Sequence, residues 1–151
     1  GKSGWRRDSR EGLRTLTGAE SRDFQAETVY RNNGWLNHKK EKAKVVFGGQ
    51  KIFDDKTANL VNLTTAKGAI IKLYFDAKSN LLIREEIPSG ETIKTFDYSD
   101  YRLVGRILEP FSIKIFEDEN VFQIKLDRVI HNPNISRADF DFPTISGEPL
   151  P

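Results

Sequence analysis

Hydrophobic and polar residues alternate along most of the chain after about residue 43. The alternation is clearest between residues 121 and 130, where one face carries Phe122, Ile124, Leu126 and Ile130. A period of two residues places alternate side chains on opposite faces of a β-strand. The same period recurs in Ile71, Leu73 and Phe75, in Leu81 and Ile83, and in Ile113 and Ile115. These segments are therefore predicted to be half-buried antiparallel strands.

Clusters of turn-forming residues separate the alternating segments. They are Gly48-Gly49, Asp54-Asp55-Lys56, Lys67-Gly68, Ala77 to Asn80, Pro88-Ser89-Gly90 and Glu117 to Asn120. Short turns between successive strands predict a meander of about seven strands, with at least five between residues 43 and 131. We expect a mainly β (α+β) domain with one curved antiparallel sheet, because no helical pattern separates the strands. Its inward face is predicted to include Leu73, Phe75, Ile113, Ile115, Phe122, Ile124 and Leu126.

One helix is predicted before the sheet. Thr17 and Glu20 have the spacing of a capping box, in which each side chain accepts a hydrogen bond from a free backbone N–H of the first turn. The helix is expected from about Gly18 to Arg31 and is expected to stop at Asn32-Asn33-Gly34, because Asn and Gly tolerate a left-handed backbone. Its buried stripe is predicted to include Phe24, Val29 and Tyr30, and Trp35-Leu36 is expected to fix the chain after the helix.

Composition excludes several kinds of chemistry. The 151 residues contain no Cys, which rules out disulfides, a thiolate nucleophile and thioether attachment of haem. The two histidines, His38 and His131, lie far apart in the sequence, so a His-based zinc site is not expected. The longest apolar run is only a few residues, far short of a membrane-spanning helix. We therefore predict no metal and no cofactor held by this chain.

Catalytic motifs are also weak. Paired carboxylates occur at Asp54/Asp55, Glu85/Glu86, Asp97/Asp100 and Asp139/Asp141, and such pairs can act as the acid and base of a glycosidase. Most of them fall at predicted turns, and Glu85 and Glu86 are adjacent on a strand and should point to opposite faces. Neither histidine has a partner at the spacing of a catalytic triad. The chain is therefore predicted not to be an enzyme.

Charge is distributed unevenly along the chain. Residues 1–44 contain 11 Lys plus Arg against 6 Asp plus Glu, whereas residues 45–151 contain 13 against 16. The basic third is predicted to face an acidic protein or an anionic membrane surface through Arg6, Arg7, Arg10, Arg14, Lys39, Lys40, Lys42 and Lys44. Nucleic acid is disfavoured as a partner, because the net charge is only +2 and few aromatic residues are interleaved with the basic ones.

The order of several motifs in the second half resembles a known family. These motifs are Leu73-Tyr74-Phe75-Asp76, Asn80 to Glu85, Tyr98 to Pro110, and Val129 to Asn132 followed by Phe140 and Pro143. Over about residues 70–143 this order resembles the LolA/LolB-like superfamily of outer-membrane lipoprotein-sorting proteins. Gly1 to Trp5 resembles an upstream strand of that family with a Gly-x-x-Trp ending. Gly105-Arg106 departs from the family, whose members often place Gly one position later.

The resemblance implies an incomplete β-barrel whose concave apolar face is closed by helices and holds acyl chains. It implies a single domain over residues 1–151 that lacks its usual N-terminal part, with a strand end and helix in 1–42, the meander in 43–143 and a tail in 144–151. The ligand would be a lipid or an acylated protein in a periplasmic or other extracytoplasmic compartment. Phe24 would lie in a helical lid over the sheet residues that bind the ligand, namely Leu73, Phe75, Ile113, Ile115, Phe122, Ile124 and Leu126.

A second function is implied by relatives attached to other envelope proteins. In c-type haem proteins related to photosynthetic reaction-centre cytochrome subunits, similar domains look like accessory modules. The alternative to a carrier is therefore a structural subunit docked on a membrane complex, attached through a partner or an N-terminal segment that precedes Gly1. An apolar cavity would favour the carrier, and a filled core with a large contact surface would favour the subunit.

Overall fold

The protein has one large antiparallel sheet, one small sheet and one α-helix. The computed structural model describes residues 4–9, 12–53 and 56–136. The elements are β1 (Trp5–Asp8), β2 (Gly12–Thr15), α1 (Gly18–Arg31), a 3-10 turn (Gly34–Asn37), β3 (Lys44–Phe53), β4 (Lys56–Thr64), β5 (Ile70–Asp76), β6 (Leu82–Ser89), β7 (Thr92–Val104), β8 (Ile107–Glu117) and β9 (Asn120–Lys125). The predicted mainly β fold with a preceding helix is confirmed.

The large sheet is a meander in which each strand pairs with the next. Strands β3 to β9 follow one another in space as they do in sequence, and every pairing is antiparallel. The prediction of at least five antiparallel strands between residues 43 and 131 is confirmed. Strands β3 and β9 are the two edges and do not pair with each other in the described residues, so the sheet stays open there. Strands β1 and β2 form a separate hairpin.

The helix has the predicted bounds but not the predicted cap. It runs from Gly18 to Arg31, and Asn33, two residues after its end, adopts the left-handed conformation with φ of 58°. Thr17 makes no side-chain capping hydrogen bond. Both carboxylate oxygens of Glu20 instead accept hydrogen bonds from the Arg14 guanidinium, at 2.7 and 2.8 Å. The predicted capping box is wrong, because a bidentate pair with β2 occupies the carboxylate that would have closed it.

The buried stripe of α1 also differs from the prediction. Asp23, Ala26 and Tyr30 are buried, with the i, i+3, i+7 spacing of one helix face. Phe24 and Val29 flank this stripe and are each 41% exposed. Of the three residues predicted for the stripe, only Tyr30 belongs to it. Leu36 is 63% exposed and therefore does not fix the chain after the helix.

The two faces of the large sheet have different surroundings. We call the face on which α1 packs the helix face; there Tyr30 contacts a core of Leu63, Ile71, Leu73 and Ile87. The opposite, outer face carries a smaller cluster of Ala58, Leu60 and Tyr74, with Phe53 and Ile83 packed against it. The Phe53 and Tyr74 rings meet edge to face, with centroids 4.9 Å apart. The main core therefore lies between α1 and strands β4 to β6.

Two local predictions about the strands are wrong. Gly48-Gly49 was expected to form a turn but lies inside β3, where the register with β4 shifts between Phe47 and Gln50. A Cβ on Gly48 would lie 2.7 Å from Leu60, and Gly49 has φ of +86°, so both glycines serve a β-bulge. Strand β9 ends at Lys125 rather than at Ile130. Only the Leu126 N–H continues the pairing, by donating to the Phe111 carbonyl at 2.9 Å.

The predicted inward residues share the helix face but are not equally buried. Register pairs place Leu73 and Phe75 of β5 on the same face as Ile113 and Ile115 of β8 and Phe122 and Ile124 of β9. Leu73 is buried, whereas Phe122 is 50% and Ile124 is 39% exposed. The 14-residue helix is about 21 Å long, and seven strands spaced about 4.8 Å apart span about 29 Å. One helix cannot cover the whole face, so Ile113 and Ile115 of β8 are only half-buried and Phe122 and Ile124 of β9 are exposed.

Candidate ligand-binding site

A cavity of about 610 Å³ lies between α1, the segment after it and the sheet. Its size falls within the range typical of small-molecule sites. The lining is mainly apolar and aromatic: Phe24, Ala26, Val29 and Tyr30 from α1, Trp35 and Ala43 from the following segment, and Leu63 and Ala66 from β4 and its turn. The polar residues of the lining are Gln25, Thr28, Glu41, Thr65 and Lys67. The site can therefore hold an apolar chain with a small polar end.

The walls of the cavity are formed by α1, the 3-10 turn and β4, and each of these elements places its lining residues. Ala26 and Tyr30 belong to the buried stripe of α1, so they turn toward the sheet. Leu63 is 3% exposed and belongs to the core under Tyr30. Trp35 sits in the 3-10 turn and is 42% exposed, so one edge of its ring contacts solvent. At the far end, Lys67 of the β4–β5 turn donates a hydrogen bond to Gln25 of α1.

A buried carboxylate joins the helix to the centre of the sheet beside this cavity. Glu85 of β6 is 2% exposed and accepts hydrogen bonds from the Tyr30 hydroxyl and, at 2.8 Å, from the Tyr98 hydroxyl. The Arg31 guanidinium lies 2.8 Å from the same carboxylate and 4.9 Å above the centre of the Phe96 ring. Glu86 points to the outer face, where Lys72 and Tyr74 bind it. The prediction that the two carboxylates point to opposite faces is confirmed.

This cluster shifts the ionisation of its tyrosines. Burial, together with the negative charge of Glu85, raises the pKa of Tyr30 and of Tyr98. Burial opposes the charged form of Arg31, but Glu85, Tyr98 and Glu27 together favour that form and raise the pKa of the guanidinium. Both phenols therefore stay protonated and act as donors to Glu85. With donors on three sides, the carboxylate holds α1 in place rather than presenting a free base.

Two further contacts fix the first half of the helix, through Asp23 and Phe24. Asp23 is 1% exposed and accepts a hydrogen bond from the Gly90 N–H of the β6–β7 turn at 3.1 Å. Arg22 pairs with the same carboxylate at 2.8 Å. Near the start of α1, the Phe24 ring fills the space beside Gly4, where a Cβ would approach to 2.4 Å. The helix that covers the cavity is thus attached to the sheet and to the β1–β2 hairpin.

The structure separates the residues predicted to bind a ligand. Phe24 lines the cavity, but Leu73, Phe75, Ile113, Ile115, Phe122, Ile124 and Leu126 do not. Leu73 and Phe75 belong to the core beneath α1, and the remaining five lie toward β8 and β9. The cavity residues that the sequence interpretation missed as a binding site are Ala26, Val29, Tyr30, Trp35, Ala43 and Leu63. A helix with aromatic residues on both sides of a small buried residue was the available signal.

The basic residues predicted to bind a partner fall into two groups. Arg6, Arg7 and Arg14 belong to the β1–β2 hairpin, where Arg14 pairs with Glu20 and Arg6 lines a second cavity of about 210 Å³. Lys39, Lys40, Lys42 and Lys44 are exposed in the segment that leads into β3. Arg10 lies outside the described residues, as do Asp54, Asp55, Asp139 and Asp141.

Neither metal ligands nor a membrane-spanning helix was found in the part of the chain that the structure describes. No group of three or more His, Asp or Glu side chains there is placed to hold a metal ion. No helix there is long and apolar enough to cross a bilayer. His131, at the end of the described chain, pairs with Glu109 at 2.9 Å.

No family model matches the chain, and no curated protein or solved structure matches it either. The resemblance to the LolA/LolB-like superfamily therefore remains a prediction from the motifs, and the function has to be argued from the geometry of the site.

Proposed function

We propose that this chain is a non-catalytic binding domain of an extracytoplasmic carrier type, which holds a lipid chain or another hydrophobic ligand under α1. The observation that carries the proposal is the apolar cavity of about 610 Å³ between α1 and the sheet. An apolar lining with a small number of polar groups is the usual composition of a small-molecule site. The LolA-like identity and the periplasmic location belong to this proposal.

The arrangement around the cavity suits binding rather than catalysis. The buried carboxylate that binds the lining residue Tyr30, Glu85, already accepts hydrogen bonds from two tyrosines and contacts Arg31. A general base needs access to the proton that it removes, and here the donors occupy the carboxylate. Lys67 and Gln25 both line the cavity and are hydrogen-bonded to each other, so a polar headgroup can bind beside them. We infer that the ligand is an amphiphile with its chain beside Trp35 and Tyr30.

Displacement of a fluorescent fatty acid tests the proposal. Val29→Trp adds a bulky ring to the cavity wall, where Val29 is 41% exposed. Val46→Trp is the matched control, because Val46 is 42% exposed and its register with Asn62 places it on the outer face. We expect saturable binding by the natural sequence and by Val46→Trp, and at least about tenfold weaker binding by Val29→Trp. Absence of saturable binding by the folded natural protein would contradict the proposal.

A second candidate function is the accessory subunit of a membrane complex. The observation that favours it is the open part of the helix face, where β8 and β9 present Ile113, Ile115, Phe122 and Ile124. Phe122 is 50% exposed, and exposed apolar surface of this kind often marks a protein contact. In this function the chain would hold no cofactor, and any electron carrier would belong to the partner.

Mass spectrometry of the protein isolated from its native membrane fraction distinguishes the two functions. Phe122→Ser changes the open apolar surface, whereas Val121→Ser changes a neighbour that is 55% exposed on the outer face. A stoichiometric partner chain that is lost only with Phe122→Ser would support the subunit. A bound lipid without such a partner would support the carrier.

A further inference from the structure

A lysine-rich segment joins the helix to the sheet. Residues 35–44, which we call the lysine loop, contain Lys39, Lys40, Lys42 and Lys44 against one acidic residue, Glu41. All four lysines are exposed. None of them forms an ion pair with another described residue, and their charges are not neutralised within that part of the molecule.

The lysine loop is compact rather than extended. The Glu41 N–H donates to the Asn37 carbonyl at 3.0 Å, and the Ala43 N–H donates to the His38 carbonyl at 2.7 Å. Lys42 has a left-handed backbone with φ of 53°, which reverses the chain before β3. These bonds fix the backbone that carries the four lysines, so their positive charges stay close together. A partner therefore meets a preformed basic surface.

Exposed apolar side chains lie at both ends of the lysine loop. At its start, Trp35 is 42% and Leu36 is 63% exposed, and just after it Val45 is 45% and Phe47 is 63% exposed. Trp at the level of lipid headgroups, apolar residues that enter the acyl boundary and lysines that contact anionic lipids together favour the surface of a bilayer. An acidic protein would match the lysines, but it gives no reason for two sets of exposed apolar residues beside them.

The lysine loop also borders the cavity. Trp35, Glu41 and Ala43 line the cavity and belong to the loop, and Leu63, which pairs with Val45, lines it from the sheet. We propose that the lysine loop docks the domain on an anionic lipid bilayer, with Trp35 and Leu36 in the interfacial region. The cavity then borders the membrane surface. Docking needs only the exposed loop and does not depend on a ligand in the cavity.

Co-sedimentation with vesicles tests the charge requirement. We expect binding to vesicles of phosphatidylcholine with phosphatidylglycerol, weaker binding as salt increases, and little binding to phosphatidylcholine alone. Each lysine near the surface strengthens membrane binding by roughly fivefold. Replacing Lys39, Lys40, Lys42 and Lys44 with Gln should therefore weaken binding by about 100-fold or more.

A matched variant distinguishes the effect of the lysine loop on membrane binding from the effect of net charge. Lys51, Lys56, Lys78 and Lys125 are also exposed, and their replacement with Gln changes the net charge by the same amount. We expect this control to retain most of the binding, with unfolding temperatures of both variants close to that of the natural sequence. An equal loss of binding in the two variants would overturn the assignment to the lysine loop.

Two measurements test whether Trp35 and Leu36 contact the membrane. Leu36→Ala should weaken vesicle binding several-fold, whereas Leu103→Ala, at a site 69% exposed on β7, should not. In a Trp5→Phe background, the emission of Trp35 should shift to shorter wavelength on vesicles that contain phosphatidylglycerol. No shift, or no vesicle binding at all, would overturn the inference. If the fatty-acid probe still binds in that case, the proposed function stands without membrane docking.

Discussion

The Tyr30 hydroxyl of α1 donates a hydrogen bond to the Glu85 carboxylate of β6, 55 residues away in the sequence. This bond and the contact of Arg31 with the same carboxylate join the last turn of the helix to the centre of the sheet. Because α1 forms one wall of the cavity, the bond also sets the position of that wall.

Tyr30→Phe should loosen the helix. The substitution keeps the buried ring and removes one hydrogen bond to a charged group, which costs about 1.5–3 kcal/mol. Urea denaturation should show that loss, and amide hydrogen exchange should rise over Asp23 to Arg31. Tyr74→Phe is the control, because its hydroxyl donates to Glu86 on the outer face at 2.9 Å. Equal exchange in α1 for both variants would contradict the role of Tyr30.

Stability should decline above about pH 10. Burial raises the pKa of Tyr74 and of Tyr101 to about 12, and it raises those of Tyr30 and Tyr98 as well. Unfolded tyrosine loses its proton near pH 10, so above that pH the unfolded state binds fewer protons and gains in relative stability. The stabilisation is complete below pH 10 and is lost progressively as the pH rises toward the folded pKa values, with a smaller contribution from the part-exposed phenols, which solvent screens.

Ultraviolet titration of tyrosinate tests whether the pKa values of the tyrosines are raised in the folded protein. These four residues are all the tyrosines of the chain, so the whole signal reports on phenols that are buried or half-buried. Native protein should form tyrosinate later than urea-denatured protein, and its titration should coincide with loss of structure by circular dichroism. Titration of native and denatured protein at the same pH would show that the phenols are not protected.

Phe122→Ala should have little effect on stability. Full burial of the ring would make the substitution cost about 3–5 kcal/mol, but Phe122 is 50% exposed on β9. We expect a loss of less than about 1.5 kcal/mol in urea denaturation. Ile87→Ala, at a site 1% exposed in the core beneath α1, should cost about 2–5 kcal/mol. A larger loss for Phe122→Ala than for Ile87→Ala would contradict the finding that the main core lies between α1 and strands β4 to β6.

Thr17→Ala should be almost neutral. Removing a functional N-cap costs about 0.5–2 kcal/mol, but the Thr17 side chain makes no capping bond. Glu20→Gln should instead cost about 0.2–1 kcal/mol, because it weakens the part-exposed pair with Arg14. Thermal unfolding of the two variants gives the comparison. A larger loss for Thr17→Ala would restore the capping box.

Local sequence signals predicted the elements well where local interactions determine them. The bounds of α1 follow from its own residues and from Asn33, which tolerates the left-handed backbone. Gly48-Gly49 was misread because two glycines in a bulge and two glycines in a turn have the same local signal. Glu20 was misread because its partner, Arg14, comes from outside the helix.

The site could not be predicted from the sequence, because its contacts join residues that are far apart along the chain. Alternation assigned Glu85 and Glu86 to opposite faces, but it could not show that Tyr30 and Arg31 reach Glu85. Alternation also placed Phe122 on the same face as Leu73 without showing that α1 is too short to cover it. The cavity depends on the position of α1 over the sheet, which is fixed by the contacts of Asp23 with Gly90 and of Tyr30 with Glu85.

Energy transfer from Trp35 to a bound fluorescent fatty acid would show whether a ligand occupies the cavity under α1. Trp35 lines the cavity, and Trp5→Phe removes the other tryptophan of the chain. If the cavity holds an apolar chain, Trp35 emission should be quenched saturably near one equivalent of ligand, and excess unlabelled fatty acid should restore that emission. If Trp35 emission stays unchanged at every ligand concentration below micelle formation while the protein remains folded, the cavity is not the binding site.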